Sequence, residues 1–248
     1  MTTVSEQPTP QAVENREKRS VVVLQPGYLP WLGFFDQMRR SDVFVYYDDV
    51  QFDKHGWRNR NRIKTPRGPL WLTVPIRHAG VGPQRIVDTE IDTRTPWARR
   101  HTRTIRQYYA KAPFVRRYLP ALEELLERPW THIAELDIAL AAVLAEWLSL
   151  KPTIYRASDL GIEGNKSQRL LNVCLHFCAN CYLSGDAAQD YLDVDLFNRH
   201  NVAVEWQNYR HPTYPQLHGD FVPYLSIVDL LLNCGDSSSA VLRNEMCR

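Results

Sequence analysis

Four consecutive apolar residues, Val21-Val22-Val23-Leu24, stop at Gln25-Pro26-Gly27, and apolar residues then recur at 31, 34, 35 and 38. A continuous β-branched run suits a strand buried on both faces of a sheet, and Pro-Gly ends it in a loop. The later spacing is helical. Val43 to Tyr47 supplies a second β run. Strand, loop, helix and strand in that order open a βαβ unit, so the chain is committed to a parallel sheet flanked by helices.

Further along, Trp71 to Ile76 reads as a third strand, entered through the turn Pro66-Arg67-Gly68-Pro69. A helix is expected over Pro96 to Ala110, and two more within Ala121 to Leu150, separated at Pro129 and stopped by Pro152. Strands at 153–155, 181–183 and 202–206, a helix over Lys166 to Phe177 and a last helix within Val222 to Asn233 complete a second α/β pass. The fold class is therefore α/β: a Rossmann-like layered sheet, mostly parallel, with a helical insertion at about 96–150. One domain is expected over 20–248, preceded by a disordered tail at 1–19, whose polar, proline-bearing composition has no apolar core of a signal peptide.

Thirty basic and 28 acidic residues leave a net charge of only +2, so any basic patch is local and nucleic acid is not the expected partner. No uninterrupted apolar run reaches roughly 18 residues, and no membrane span is expected. Five cysteines, three of them clustered at 174, 178 and 181, do not form a secreted disulfide framework. A cytoplasmic location follows as the expectation. The oligomeric state stays open.

Ligands in α/β sheets bind at loops on the C-terminal ends of strands, where free amides converge. Two such loops are Gln25 to Trp31 and Asp48 to Phe52. The second runs into Gln51-Phe-Asp-Lys54-His-Gly-Trp57-Arg-Asn59-Arg60-Asn61-Arg-Ile-Lys64. Guanidinia hold carboxylate or phosphate, asparagines bond hydroxyls, and aromatic faces stack. The competing reading is a solvated basic hairpin.

The blocks Gln-Pro-Gly-Tyr-Leu-Pro-Trp-Leu-Gly-Phe-Phe (25–35), Asp-Asp-Val-Gln-Phe (48–52), Trp-Arg-Asn-Arg-Asn-Arg-Ile-Lys (57–64) and Trp-Leu-Thr-Val-Pro (71–75) resemble the opening signature of WbqC-like proteins. Tyr-Leu-Ser-Gly (182–185), His-Pro-Thr-Tyr-Pro-Gln (211–216) and Leu-Ser-Ile-Val-Asp-Leu (225–230) resemble its later blocks. The resemblance runs from about 21 to 243. One departure is Cys178-Ala179-Asn180-Cys181, where the family usually has glycine and alanine before Tyr-Leu-Ser-Gly. The resemblance implies a bacterial protein of surface-polysaccharide (O-antigen) or specialised-metabolite assembly, a setting that fits acyl or aminoacyl transfer.

Several chemistries compete for the reactive groups. Cys174, His211 and Asp229 supply a thiol, a base and an acid, the set for amide formation through a thioester on an amine acceptor. The expected substrate contacts are Gln25, Tyr28, Trp31, Asp48, Gln51, Lys54, Trp57, Asn59, Arg60, Asn61 and Lys64 from the first half, with Ser184, Tyr191, Tyr214 and Gln216 from the second. Asp48-Asp49 at a strand end suggests instead a divalent-metal-dependent glycosyl transferase, and the strand, loop, helix and strand opening resembles the nucleotidyltransferase fold of pantothenate synthetases, the basis for a nucleotidyl transferase. The nucleotidyltransferase loop would carry two histidines, and this chain has none between 20 and 54. Cys-x3-Cys-x2-Cys at 174–181 has iron–sulfur spacing, yet overlaps an apolar helix, so buried structural cysteines are favoured. Lys166-Ser167 could meet a phosphate at a helix start, or Asn165 could simply cap it. The remaining alternative is a non-catalytic binder. A small-molecule or carrier-bound partner is expected, and no cofactor.

Overall fold

The structure is a computed structural model and describes residues 17–54, 56–77 and 82–245. Strand β1 (Ser20–Leu24) leads through the first loop into helix α1 (Leu32–Arg40) and strand β2 (Val43–Tyr46). The hairpin of β3 (Arg60–Thr65) and β4 (Gly68–Thr73) follows, then helices α2 (Trp97–Tyr109), α3 (Val115–Leu126) and α4 (Ile133–Trp147). Strand β5 (Thr153–Arg156) and helices α5 (Ala157–Leu160) and α6 (Lys166–His176) lead to β6 (Cys181–Ser184). Helix α7 (Val194–Arg199), β7 (Ala203–Trp206), α8 (Ile227–Cys234) and α9 (Ser238–Leu242) close the chain.

Among the described residues the main sheet is five-stranded in the order β5-β2-β1-β6-β7, every pairing parallel. From β1 the chain first builds outward through β2 to β5, then returns to the other side of β1 for β6 and β7. The order reverses between β1 and β6, and that switch point opens a crevice at their C-terminal ends. The α/β class and the mostly parallel layered sheet are as the strand runs foretold, with α2–α4 inserted between β2 and β5.

Strand alternation divides the core. Val21, Val23, Val43, Val45 and Tyr182 pack against Leu171, Cys174 and Phe177 of α6 and Phe197 of α7. Val22, Phe44, Tyr46 and Leu183 point the other way, into the larger cluster formed by α1, the inserted helices and α8.

Two local expectations are corrected. The strand expected at 71–76 is β4, which starts and ends earlier and pairs antiparallel with β3 outside the main sheet. The α3 helix begins before Ala121 and carries Pro120 on its exposed side, where the carbonyl that loses its helical donor is open to solvent. Helix α8 (Ile227–Cys234) forms within the stretch expected to hold the last helix, and the short α9 follows it. The expected disordered tail lies outside the described residues through residue 16. Its last residues are anchored: Lys18 Nζ pairs with Glu205 at 2.7 Å, and Arg19 N–H donates to Asn180 Oδ1 at 2.8 Å.

Candidate functional site

The first loop leaves β1 at the switch point and is clamped from beneath. Tyr28 N–H donates to the Trp57 carbonyl (3.1 Å), and Asn61 Nδ2 donates to the carbonyls of Tyr28 (3.3 Å) and Leu29 (2.8 Å). Tyr28 is fully buried, its hydroxyl 2.8 Å from His101 Nδ1. Leu29 is held at φ +44°, a left-handed conformation that a branched side chain adopts only when its surroundings enforce it. Gly33 in the first turn of α1 has a steric reason: a Cβ there would lie 2.2 Å from the Trp31 indole, which folds over it. The indole packs edge-on against Tyr209 (centroids 5.0 Å apart) and beside Tyr224 (5.6 Å).

Loop, helix and hairpin enclose a cleft of about 110 Å³ lined by Gln25, Trp31, Phe34, Gln37, Trp57, Arg58 and Asn61, among others. Its polar groups are incompletely used. Gln37 Nε2 donates to Gln207 Oε1 at 2.7 Å, but Gln37 Oε1 is buried without a partner among the described residues. Arg58 Nε is likewise buried and unbonded. Burial pulls the Arg58 pKa down, opposed by the charges of Asp137 and Asp53. Asp137 lies fully buried on α4 with neither carboxylate oxygen bonded among the described residues, and burial holds its pKa well above the usual carboxylate range. An anion entering this cleft meets a largely buried cation, the condition under which charge-assisted bonds are strong.

The profile of the WbqC-like protein family matches residues 25–241. The chain belongs to this family. Its members include a relative in Mycobacterium tuberculosis (strain ATCC 25618 / H37Rv), named as the uncharacterized protein Rv1507c. That protein is 36% identical over 227 residues, covering 91% of this chain and 98% of the relative. No solved structure matches. No helix among the described residues is long and apolar enough to cross a membrane.

In this WbqC-like chain the thiol, base and acid do not converge. Cys174 sits on the α6 face of the sheet, whereas Asp229 opens α8 on the opposite face, because alternate strand residues point to opposite layers. Burial pushes the Cys174 thiol up to about 12, the reverse of an activated nucleophile. The Asp229 carboxylate accepts from Tyr109 (2.6 Å) and Tyr214 (3.0 Å), with no bond to His211. Cys178 is exposed while Cys174 and Cys181 are buried, and no group of metal-ligating side chains assembles among the described residues.

Several other expected contacts are engaged in bonds within the fold, and the rest lie away from this cleft. Asp48 is fully buried: its carboxylate accepts from Arg156 Nε (2.8 Å) and from Ser158 N (3.0 Å) and Oγ (2.8 Å), tying β2 to the β5–α5 junction. Asp49 pairs with Arg169 of α6, so the two neighbouring carboxylates are held by arginines on separate elements rather than presented as a metal pair. Asn59 Nδ2 donates to Val74 O at 2.8 Å. Buried Lys64 donates from Nζ to the carbonyls of Gly219 and Asp220. Gln216 clasps Val222 through both its oxygen and its nitrogen. Gln51 and Lys54 line a different depression of about 630 Å³, with Gln84. Ser184 is buried at the end of β6, and Tyr191 is 71% exposed. Ser167 Oγ accepts from Asp193 N at 3.0 Å, which binds α6 to α7 rather than to a phosphate.

What remains at the cleft is Gln25, Trp31, Trp57 and Asn61, joined by Arg58 and Gln37, which the sequence reading left out of its contacts. Arg58 had a readable signal. Arg58, Arg60 and Arg62 alternate, and alternation at the start of a strand places side chains on one face.

Proposed function

We propose that this protein is a transferase of bacterial polysaccharide or specialised-metabolite assembly that holds the anionic group of a carrier- or nucleotide-linked substrate on Arg58 at the switch-point cleft. The observation carrying this reading is the buried Nε of Arg58, without a hydrogen-bond partner among the described residues, in a cleft walled by Trp31 and Trp57. A guanidinium matches phosphate or carboxylate through two parallel donors, and the desolvation already imposed on it favours an anionic guest. Gln25 and the Oε1 of Gln37, which has no partner among the described residues, supply amide groups for neighbouring hydroxyls. Family membership supports the biosynthetic setting.

Titration calorimetry with inorganic pyrophosphate tests the cleft. Arg58→Ala is expected to weaken binding roughly 10- to 100-fold while the thermal midpoint stays close to wild type. Equal affinity in the two proteins, or none in the wild type, sinks the assignment.

A second reading, amide formation on an amine acceptor, is favoured by the tautomer of His211. Its Nδ1 lies 2.9 Å from the Pro212 carbonyl, which can only accept, so Nδ1 carries the proton and Nε2 keeps a free lone pair. No group among the described residues bonds that nitrogen. His211 packs against Tyr209 and Tyr224, the two rings that also flank Trp31, one aromatic layer behind the cleft. An acceptor reaches Nε2 when Tyr224, 47% exposed, swings aside. The amine nitrogen then bonds the acyl carbon of a thioester, the carbon–sulfur bond breaks, the amine proton passes to Nε2, and the departing thiolate is protonated by water. His211→Gln is expected to reduce turnover of amine plus acyl thioester by about 100-fold or more, followed by mass spectrometry, while pyrophosphate affinity is unchanged. Undiminished turnover removes His211 from the chemistry.

A further inference from the structure

The cleft is too small for the ligand proposed for it. At about 110 Å³ it holds a volume of roughly three or four waters at about 30 Å³ each, and enclosed ligand sites begin near roughly 300 Å³. A phosphate or carboxylate group fits. The rest of the substrate must lie across the rim, and the rim has a definite chemistry.

Trp57, which lines the cleft, is 40% exposed and faces Trp71 of β4, 42% exposed, with ring centroids 5.1 Å apart and planes tilted by 40°. Large apolar rings left in water carry a hydration cost that the fold does not relieve, so two adjacent ones mark a binding surface more than they support a core. The Arg60 guanidinium lies 4.6 Å from the Trp71 centroid. That of Arg62 lies 5.6 Å from Trp57 and 5.5 Å from Trp71, at about equal distance from both rings. The antiparallel register sets Arg62 directly opposite Trp71 on one face of the hairpin. Arg62 Nη2 donates to the Tyr224 carbonyl at 3.2 Å, while its Nε makes no hydrogen bond among the described residues.

From this juxtaposition we infer that Trp57 and Trp71, with Arg60 and Arg62, form a stacking subsite for the base of a nucleoside diphosphate whose phosphates reach Arg58. The inference rests on the proposed anion site and names the class of ligand it takes. Planar guanidinia beside indole faces suit a flat, aromatic ring and the negative charge that follows it, whereas a neutral sugar face makes no use of two cations. Stacking accepts any base, so uracil and adenine are both admitted.

Calorimetry with uridine diphosphate, adenosine diphosphate and inorganic pyrophosphate on the full chain separates the two assignments. Both nucleotides are expected to bind wild type about 10-fold or more tightly than pyrophosphate, and Trp71→Ala to lose that surplus with pyrophosphate affinity unchanged. Trp71→Phe, which keeps a ring and guards against a folding defect in the alanine variant, is expected to retain most of it. Nucleotides bound no tighter than pyrophosphate, or bound equally by wild type and both variants, overturn the stacking subsite. Nucleotide binding that depends on Trp71 without any pyrophosphate binding supports the platform and overturns only the Arg58 assignment. No binding of any of the three overturns both.

Discussion

Asp229→Ala is expected to cost the folded state about 3–5 kcal/mol, read as a lower urea midpoint at unchanged slope. The carboxylate is fully buried and accepts from two phenols, Tyr109 at 2.6 Å and Tyr214 at 3.0 Å, while the Lys64 charge acts on it from nearby. Burial raises its pKa, and the two hydroxyls and Lys64 draw it back down. Truncation leaves two buried hydroxyls without an acceptor and the Lys64 ammonium without a countercharge. Three separate elements meet at this one group: Tyr109 ends α2, Tyr214 lies in the segment before α8, and Lys64 belongs to β3. Tyr109 also accepts from the Lys64 backbone N–H at 2.9 Å, so the hairpin loses its anchor with the carboxylate. Asp229→Asn keeps one acceptor oxygen, and a loss of about 1–2 kcal/mol is expected. An alanine variant within about 0.5 kcal/mol of wild type would show that the cluster is not what holds the hairpin.

The second large effect is acid lability centred on the first loop. Burial holds the His101 pKa down at about 4 against 6.5 for a free imidazole, with the Thr73 backbone hydrogen bond opposing the shift. Neutral His101 accepts from the Tyr28 hydroxyl, and that bond ties the loop to α2. Between pH 6.5 and 4 the unfolded chain binds the proton more readily than the folded one, so stability falls as pH falls. That depression corresponds to roughly 3 kcal/mol, fully present above pH 6.5 and lost by about pH 4. Urea midpoints measured across this range should decline, and His101→Phe should flatten the decline. An equally steep fall in the variant would place the acid sensitivity elsewhere.

Strands β1, β2 and β6 were legible because each is a largely apolar run that a sheet interior accommodates, and β7 because its apolar residues form a short run at the sheet edge. Strand β3 was not. Its inward positions include Asn61 and Lys64, whose polar atoms are satisfied by the carbonyls of Tyr28, Leu29, Gly219 and Asp220. Those partners come from distant loops, so no local pattern announces the strand. The same cause misdirected the substrate contacts: residues that look chemically available in a string, such as Asn59, Lys64 and Gln216, are already spent on backbone groups once the chain folds.

By itself the sequence determined the α/β class, the family resemblance and the position of the two strand-end loops, because hydrophobic periodicity and turn residues act over a few positions. Only the tertiary structure decided which groups share a site. Alternation across a sheet layer sent Cys174 to one face and Asp229 to the other, and burial raised the thiol to about 12. Packing of the hairpin against the first loop brought Arg58 and Trp57 to Gln25 and Trp31, while hydrogen bonds between remote segments consumed the Asp48 carboxylate. Proximity and desolvation are properties of the folded chain, and they separate a binding group from a structural one.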